Sequence, residues 1–165
     1  MPFDARSWWR NLSRGMTTPD WDNAHRLLGE ELKFVGQMYR AGLAILAGSD
    51  AMGGPALFPG FSLHDELALL VEAGLPPMAA LQAATIGPVR FMGQAERRGT
   101  VEVGKVANLV LLDRDPLADI HNSTSIRAVI LGGKLMPRAS LDAMLAEAEA
   151  TAAKPPSNPP GSATN

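Results

Sequence analysis

The 165-residue sequence contains no cysteine. That excludes a disulfide scaffold, a thiolate metal site and a thiol nucleophile. Charged residues make up 19% of the chain and the formal net charge is −2. Lysines and arginines are scattered, with Arg97-Arg98 as the one adjacent pair. No basic field exists to attract nucleic acid or an anionic membrane. The N-terminal MPFDARSWWRNLSRG has no apolar core of signal-peptide length, and no stretch approaches a membrane span. The expectation is a soluble, cytoplasmic chain with neither nucleic acid nor membrane as a partner. Histidine is also scarce: His25, His64 and His121 stand apart, with no His-x-His and no His-x-x-x-His. No internal repeat is visible.

What is present is organised around Leu43 to Gly74. The apolar run Leu43-Ala44-Ile45-Leu46-Ala47 ends at Gly48-Ser49-Asp50 and is followed by a Gly- and Pro-rich loop. A run this short, bounded by glycines, predicts a buried strand of the parallel type. Asp50 then sits at the carboxyl end of that strand, the edge where alternating strand and helix folds bind ligands.

Helices are predicted on both sides of that stretch. Thr18-Pro19-Asp20 reads as a helix start, followed by an apolar stripe of Trp21, Ala24, Leu28, Leu32, Val35 and Tyr39, with Gly42 as the stop. A second helix opens at Ser62, with Asp65 completing an approximate capping box. Its buried face is Leu63, Leu67, Leu70 and Val71, and Gly74 ends it. A third runs from Pro76-Pro77 through Met78, Leu81 and Ala84 to Gly87-Pro88, with one more turn burying Phe91-Met92 before Gly93. Beyond Gly99 the pattern becomes short strands: Thr100 to Val103, Leu109 to Leu112, and Ile126 to Leu131 with Lys134 to Met136 across a Gly132-Gly133 turn. An Ala-rich helix from Arg138 to about Ala150 and a Pro/Ser/Gly-rich tail, expected to be disordered, complete the chain.

Four blocks in order, LAILAGSD, PGFSLHDELALLVEAGL, ALQAATIGPVRFMG and GTVEVGKVANLVLLDRDPLADI, resemble the C-terminal part of a metal-dependent amidohydrolase. The nearest group is the imidazolonepropionase-like and prolidase-like branch, and the resemblance runs from Thr18 to Leu145. It implies an α/β fold built from part of a (β/α)8 barrel. The last barrel strand and its helices occupy residues 1–95, strands of a composite sandwich occupy 96–137, a C-terminal helix 138–150 and a tail 151–165. A whole barrel takes about 250 residues, more than this chain holds.

The resemblance assigns Asp50 two roles, ligand of a divalent metal (zinc) and acceptor of the proton from the attacking water. Read without it, Gly48-Ser49-Asp50 is an Asx-type turn. It places His64 in the region after the last strand, where it contacts substrate; the alternative is a capping or solvent-facing histidine. Glu66 reads as part of a solvated helix face, and His25 and His121 as surface residues. In the resemblance the Trp8-Trp9 pair lies over the mouth of the site; the alternative is a loop packed on a neighbouring helix. Gly53-Gly54-Pro55 and Gly132-Gly133 are turns, lacking the strand–GxGxxG–helix context of a nucleotide site. Asn108 replaces the aspartate usual in that family.

A catalytic zinc needs about three protein ligands. The other ligands implied by the resemblance are a His-x-His pair, a carboxylated lysine or glutamate, and two more histidines, all on earlier strands. The expectation is therefore the tail of an enzyme that hydrolyses a C–N bond of a small-molecule amide, holding no metal tightly and inactive alone. Its partners are then the N-terminal part of the barrel or a second copy. The competing expectation is a non-catalytic module or degenerate hydrolase remnant that associates through its unpartnered barrel strand.

Overall fold

The computed structural model describes residues 15, 17–51 and 57–154. The Trp8-Trp9 pair, Gly53-Gly54-Pro55 and most of the tail lie outside them. The fold is mixed helix and strand, with helices up to residue 91 followed by a small three-stranded sheet.

Helix α1 (Thr18–Arg40) starts at Thr17, one residue before the predicted cap. The Thr17 amide donates to Asp20 Oδ2 at 2.7 Å and the Thr17 hydroxyl to the same oxygen at 2.6 Å. The helix stops as expected: Gly42 takes φ +82° while its amide reaches Tyr39 O at 2.9 Å and Leu43 N–H reaches Met38 O at 3.1 Å. This pair of bonds is a Schellman motif, which needs a residue at ease with positive φ. The same arrangement ends α2 (Phe61–Glu72) at Gly74 and α4 (Ile86–Phe91) at Gly93.

The start of α2 differs from expectation. Gly60 holds the N-cap position and the helix begins at Phe61. Ser62, inside the first turn and buried, accepts the Phe58 N–H on its Oγ at 2.7 Å. Its hydroxyl closes the loop before the helix and does not cap the helix itself.

The core is small and centred on α2. Leu67, Leu70, Ala73 and Leu75 pack with Ala80 and Ala83 of α3 (Pro77–Ala84) and with Ile120. Ala80 is fully enclosed. Of the residues through which α3 was expected to run, Leu81 and Ala84 pack against this core from its edge, while Met78 is 49% exposed and the centre of the contact is taken by alanine. Alanines let two helix backbones approach, so they take the centre of the contact. Phe91 and Met92, expected inside, are exposed, and Ile86 is buried in their place.

From α1 only the C-terminal half of the stripe engages: Leu32, Val35 and Tyr39 pack on the core, while Trp21 is 44% exposed. The contact is set by Gly36, the one buried residue of this helix. A Cβ built there would run into the Ala73 carbonyl oxygen, so the two backbones lie in close contact.

The predicted strand at Leu43 to Ala47 forms no ladder among the described residues. A strand exists by pairing, and this stretch meets helices. Ala47 N–H donates to Ala83 O at 3.0 Å, and Leu46 packs into the space above Gly87, where an added Cβ falls 3.1 Å from Leu46 Cδ2. Thr100 to Val103 is likewise no strand, and Val103 is fully exposed. The remaining strands form as expected. Strand β1 (Leu109–Leu112) pairs antiparallel with β2 (Ile126–Leu131), which pairs with β3 (Lys134–Pro137) across the Gly132-Gly133 turn. Asn108 Oδ1 accepts the Gly132 N–H at 2.8 Å, tying β1 to that turn. An aspartate offers the same acceptor, so the departure at 108 keeps the function of the site in the fold. Helix α5 (Arg138–Ala153) follows and extends three residues past the predicted end.

Two predictions follow from this packing. Gly36→Ala removes the clearance over Ala73 and destabilises the chain by about 1–3 kcal/mol despite alanine's better helix propensity; the urea midpoint reads it. The Thr17 hydrogen bonds hold the Asp20 carboxyl below its usual 3.8. A depressed carboxyl stabilises the folded state above that value and ceases to as pH falls through its folded pKa. Asp20→Ala therefore lowers stability at neutral pH, and the difference from the parent chain shrinks in acid below about pH 4.

Candidate functional site

Asp50 follows the helix-clamped stretch and is exposed. Its φ is +46°, the one positive value at a non-glycine residue among the described residues. Aspartate tolerates the left-handed region better than most residues, but holding it there still needs support from its surroundings. That support comes from the residues just before it. Ala47 is tied to α3, and Gly48 N–H donates to Glu66 Oε1 at 3.3 Å. Glu66 is half-buried on α2 and is not part of a solvated face as its sequence position suggested. No local pattern reveals this contact, since Gly48 and Glu66 are eighteen residues apart.

His64 lies on the first turn of α2, half-buried. Its Nδ1 is 2.9 Å from the Oγ of Ser123, a buried residue of the 3-10 helix Ile120–Thr124. The imidazole thus joins the helical layer to the segment leading into β2. Among the described residues no hydrogen bond or ion pair links His64 to Asp50. Sequence reasoning missed both Ser123 and the 3-10 helix. The available signal was Asp119, whose Oδ1 accepts the His121 N–H at 3.0 Å and so starts that helix. His121 Nδ1 lies 2.8 Å from the same oxygen on the surface, and this hydrogen bond holds the Asp119 carboxyl below its ordinary range. His25 is exposed on α1.

Among the described residues no group of three or more His, Asp or Glu side chains is placed to hold a metal ion. Asp50 and Glu66 therefore fall short of the donor set a catalytic metal requires. An open groove of about 300 Å³ lies between α1 and the end of α2, beside Lys33, Arg40 and Glu72, and includes neither Asp50 nor His64. No described helix is long and apolar enough to cross a membrane.

Comparison with known proteins gives this geometry a context. The model of the Amidohydrolase family matches residues 11–136. The ochratoxinase of Aspergillus niger is 32% identical over 127 residues, covering 73% of this chain and 25% of that protein. The chain thus spans a quarter of the length of this curated relative. A putative prolidase from Bifidobacterium longum is 33% identical with a TM-score of 0.63, over 83% of this chain and 35% of that one. A bottromycin amidohydrolase shares the fold at TM-score 0.79 over 93% of this chain and 34% of that one, with 24% identity. The family model covers most of the sequence, and the chain belongs to the amidohydrolase family.

Proposed function

We propose that this chain is the C-terminal part of a hydrolase that cleaves a C–N bond in a small-molecule amide, with Asp50 as its contribution to the reacting centre. The observation that carries the reading is Asp50 itself: an exposed carboxylate in a left-handed backbone conformation, after a stretch anchored to two helices. A positioned carboxylate accepts the proton of an attacking water and returns it to the departing amine. His64 borders the substrate in this reading. Its Nδ1 is engaged by Ser123, so Nε2 is the ring nitrogen left for a ligand.

The chain's own described residues do not fit a divalent metal. The remaining donors, zinc ligands by the family pattern, would then come from residues outside this sequence. In the same reading Leu43 to Ala47 is the last strand of a barrel whose other strands lie outside it. The coverage of the ochratoxinase, 25% of its length, supports that division.

A second reading, a non-catalytic module that associates with another chain or a second copy, is favoured by one observation. Leu43 is 53% exposed and Phe91 83%, an apolar surface that association would cover.

The purified chain is expected to carry no stoichiometric zinc by elemental analysis and to hydrolyse no amide. Tight zinc at one equivalent would overturn the assigned division of ligands. The reading frame upstream is expected to encode a His-x-His pair and two further histidines within about 250 codons; their absence would leave the module as the better reading. In a hydrolase containing this chain, Asp50→Asn lowers kcat by about 10²–10⁴-fold, the range for loss of a general base, and an unchanged kcat removes Asp50 from the mechanism.

A further inference from the structure

Two backbone amides in succession, Ala47 and Gly48, just before Ser49-Asp50, are satisfied by helices and not by neighbouring strands. Ala47 N–H is taken by the Ala83 carbonyl at the end of α3. Gly48 N–H is taken by the side chain of Glu66. The two acceptors differ in kind for a physical reason. Ala83 lies in the last turn of α3, where a helix has carbonyls to spare. Glu66 is in the middle of α2, where the carbonyls are used within the helix, so only a side chain can reach out. Glutamate has the length, and its carboxylate oxygen meets the amide in a long hydrogen bond of 3.3 Å.

Between this anchor and Asp50 lies only Ser49. Asp50 then holds φ +46°, a conformation that chain entropy alone does not select. Leu46, packed over Gly87, fixes the other end of the segment. Residues 46–48 are therefore gripped by α4, α3 and α2 in turn, and the grip by α2 is the nearest to the carboxylate.

From this we infer that Glu66 is the positioning residue of the site: by accepting the Gly48 N–H it fixes the turn that presents Asp50. The inference rests on the proposed role of Asp50 for its meaning in catalysis, while the contact itself is independent of that role. Glu66 does not touch the reacting atoms; it acts through Gly48.

The test uses the full chain, ¹⁵N-labelled, with amide exchange read residue by residue in three variants. In Glu66→Ala the Gly48 amide is expected to exchange about five- to tenfold faster, the loss of one hydrogen bond, with the Asp50 resonance displaced. The Leu67 and Leu70 amides of the core keep their protection. Glu66→Gln retains an acceptor oxygen and is expected to return Gly48 to within about twofold of the parent rate. In Asp50→Asn the Gly48 rate is unchanged, whatever happens to hydrolysis, so a failed hydrolytic reading leaves this result standing. The inference is overturned if Glu66→Ala leaves Gly48 unchanged, if it accelerates exchange across the core as well, or if Glu66→Gln behaves like alanine.

Discussion

The packing of α2 against α3 through alanine is the constraint on which the rest of the structure depends. Ala80 is wholly enclosed and Ala83 nearly so, against Leu67 and Leu70. Small residues at this contact let the helix axes approach, and the closeness brings the Ala83 carbonyl within reach of Ala47. The close approach is repeated at the other end of α2, where Gly36 of α1 rides over the Ala73 carbonyl. Larger side chains at either place would hold the helices apart and release the segment that leads to Asp50.

That segment shows how a strand-like sequence behaves without neighbouring strands. The five apolar residues Leu43 to Ala47 have the composition of a buried strand, yet the Leu43 and Ala47 amides are met by helix-end carbonyls and the Gly48 amide by a carboxylate. Backbone groups must be satisfied by whatever lies beside them. The same requirement explains the order of the second half. Strands β2 and β3 pair across the two-residue Gly132-Gly133 turn and β1 pairs with β2 across a connection that holds the 3-10 helix, whereas Thr100 to Val103 pairs with no strand among the described residues and stays irregular.

The distribution of apolar surface follows from the same economy of contacts. The sheet leaves Val110 58% exposed and Leu135 58% exposed, and no large side chain in the described chain is fully enclosed. A core built from alanine and leucine around one helix has little depth, so many large apolar residues remain at its edge. His64 and Ser123 supply part of what depth does not. Their contact couples α2 to the 3-10 helix, and Ile120, one turn away, enters the core beside it.

The sequence alone determined the features that depend on a few neighbouring residues. Helix stops at Gly42, Gly74 and Gly93 were legible because a left-handed terminator is a local demand, and the hairpin at Gly132-Gly133 for the same reason. The four ordered blocks also pointed to the family, and with it to Asp50 as the residue to weigh. What only the tertiary structure decided were relations between distant positions: that Ala80 and Ala83, not Met78, face the core; that Phe91 points outward; that Ser62 closes a loop; and that Glu66 and Ser123 take hold of Gly48 and His64. Periodicity ranks residues by their own character. Which of them is buried, or which donor meets which acceptor, is set by how closely helix backbones approach, and that distance is a property of the packed chain.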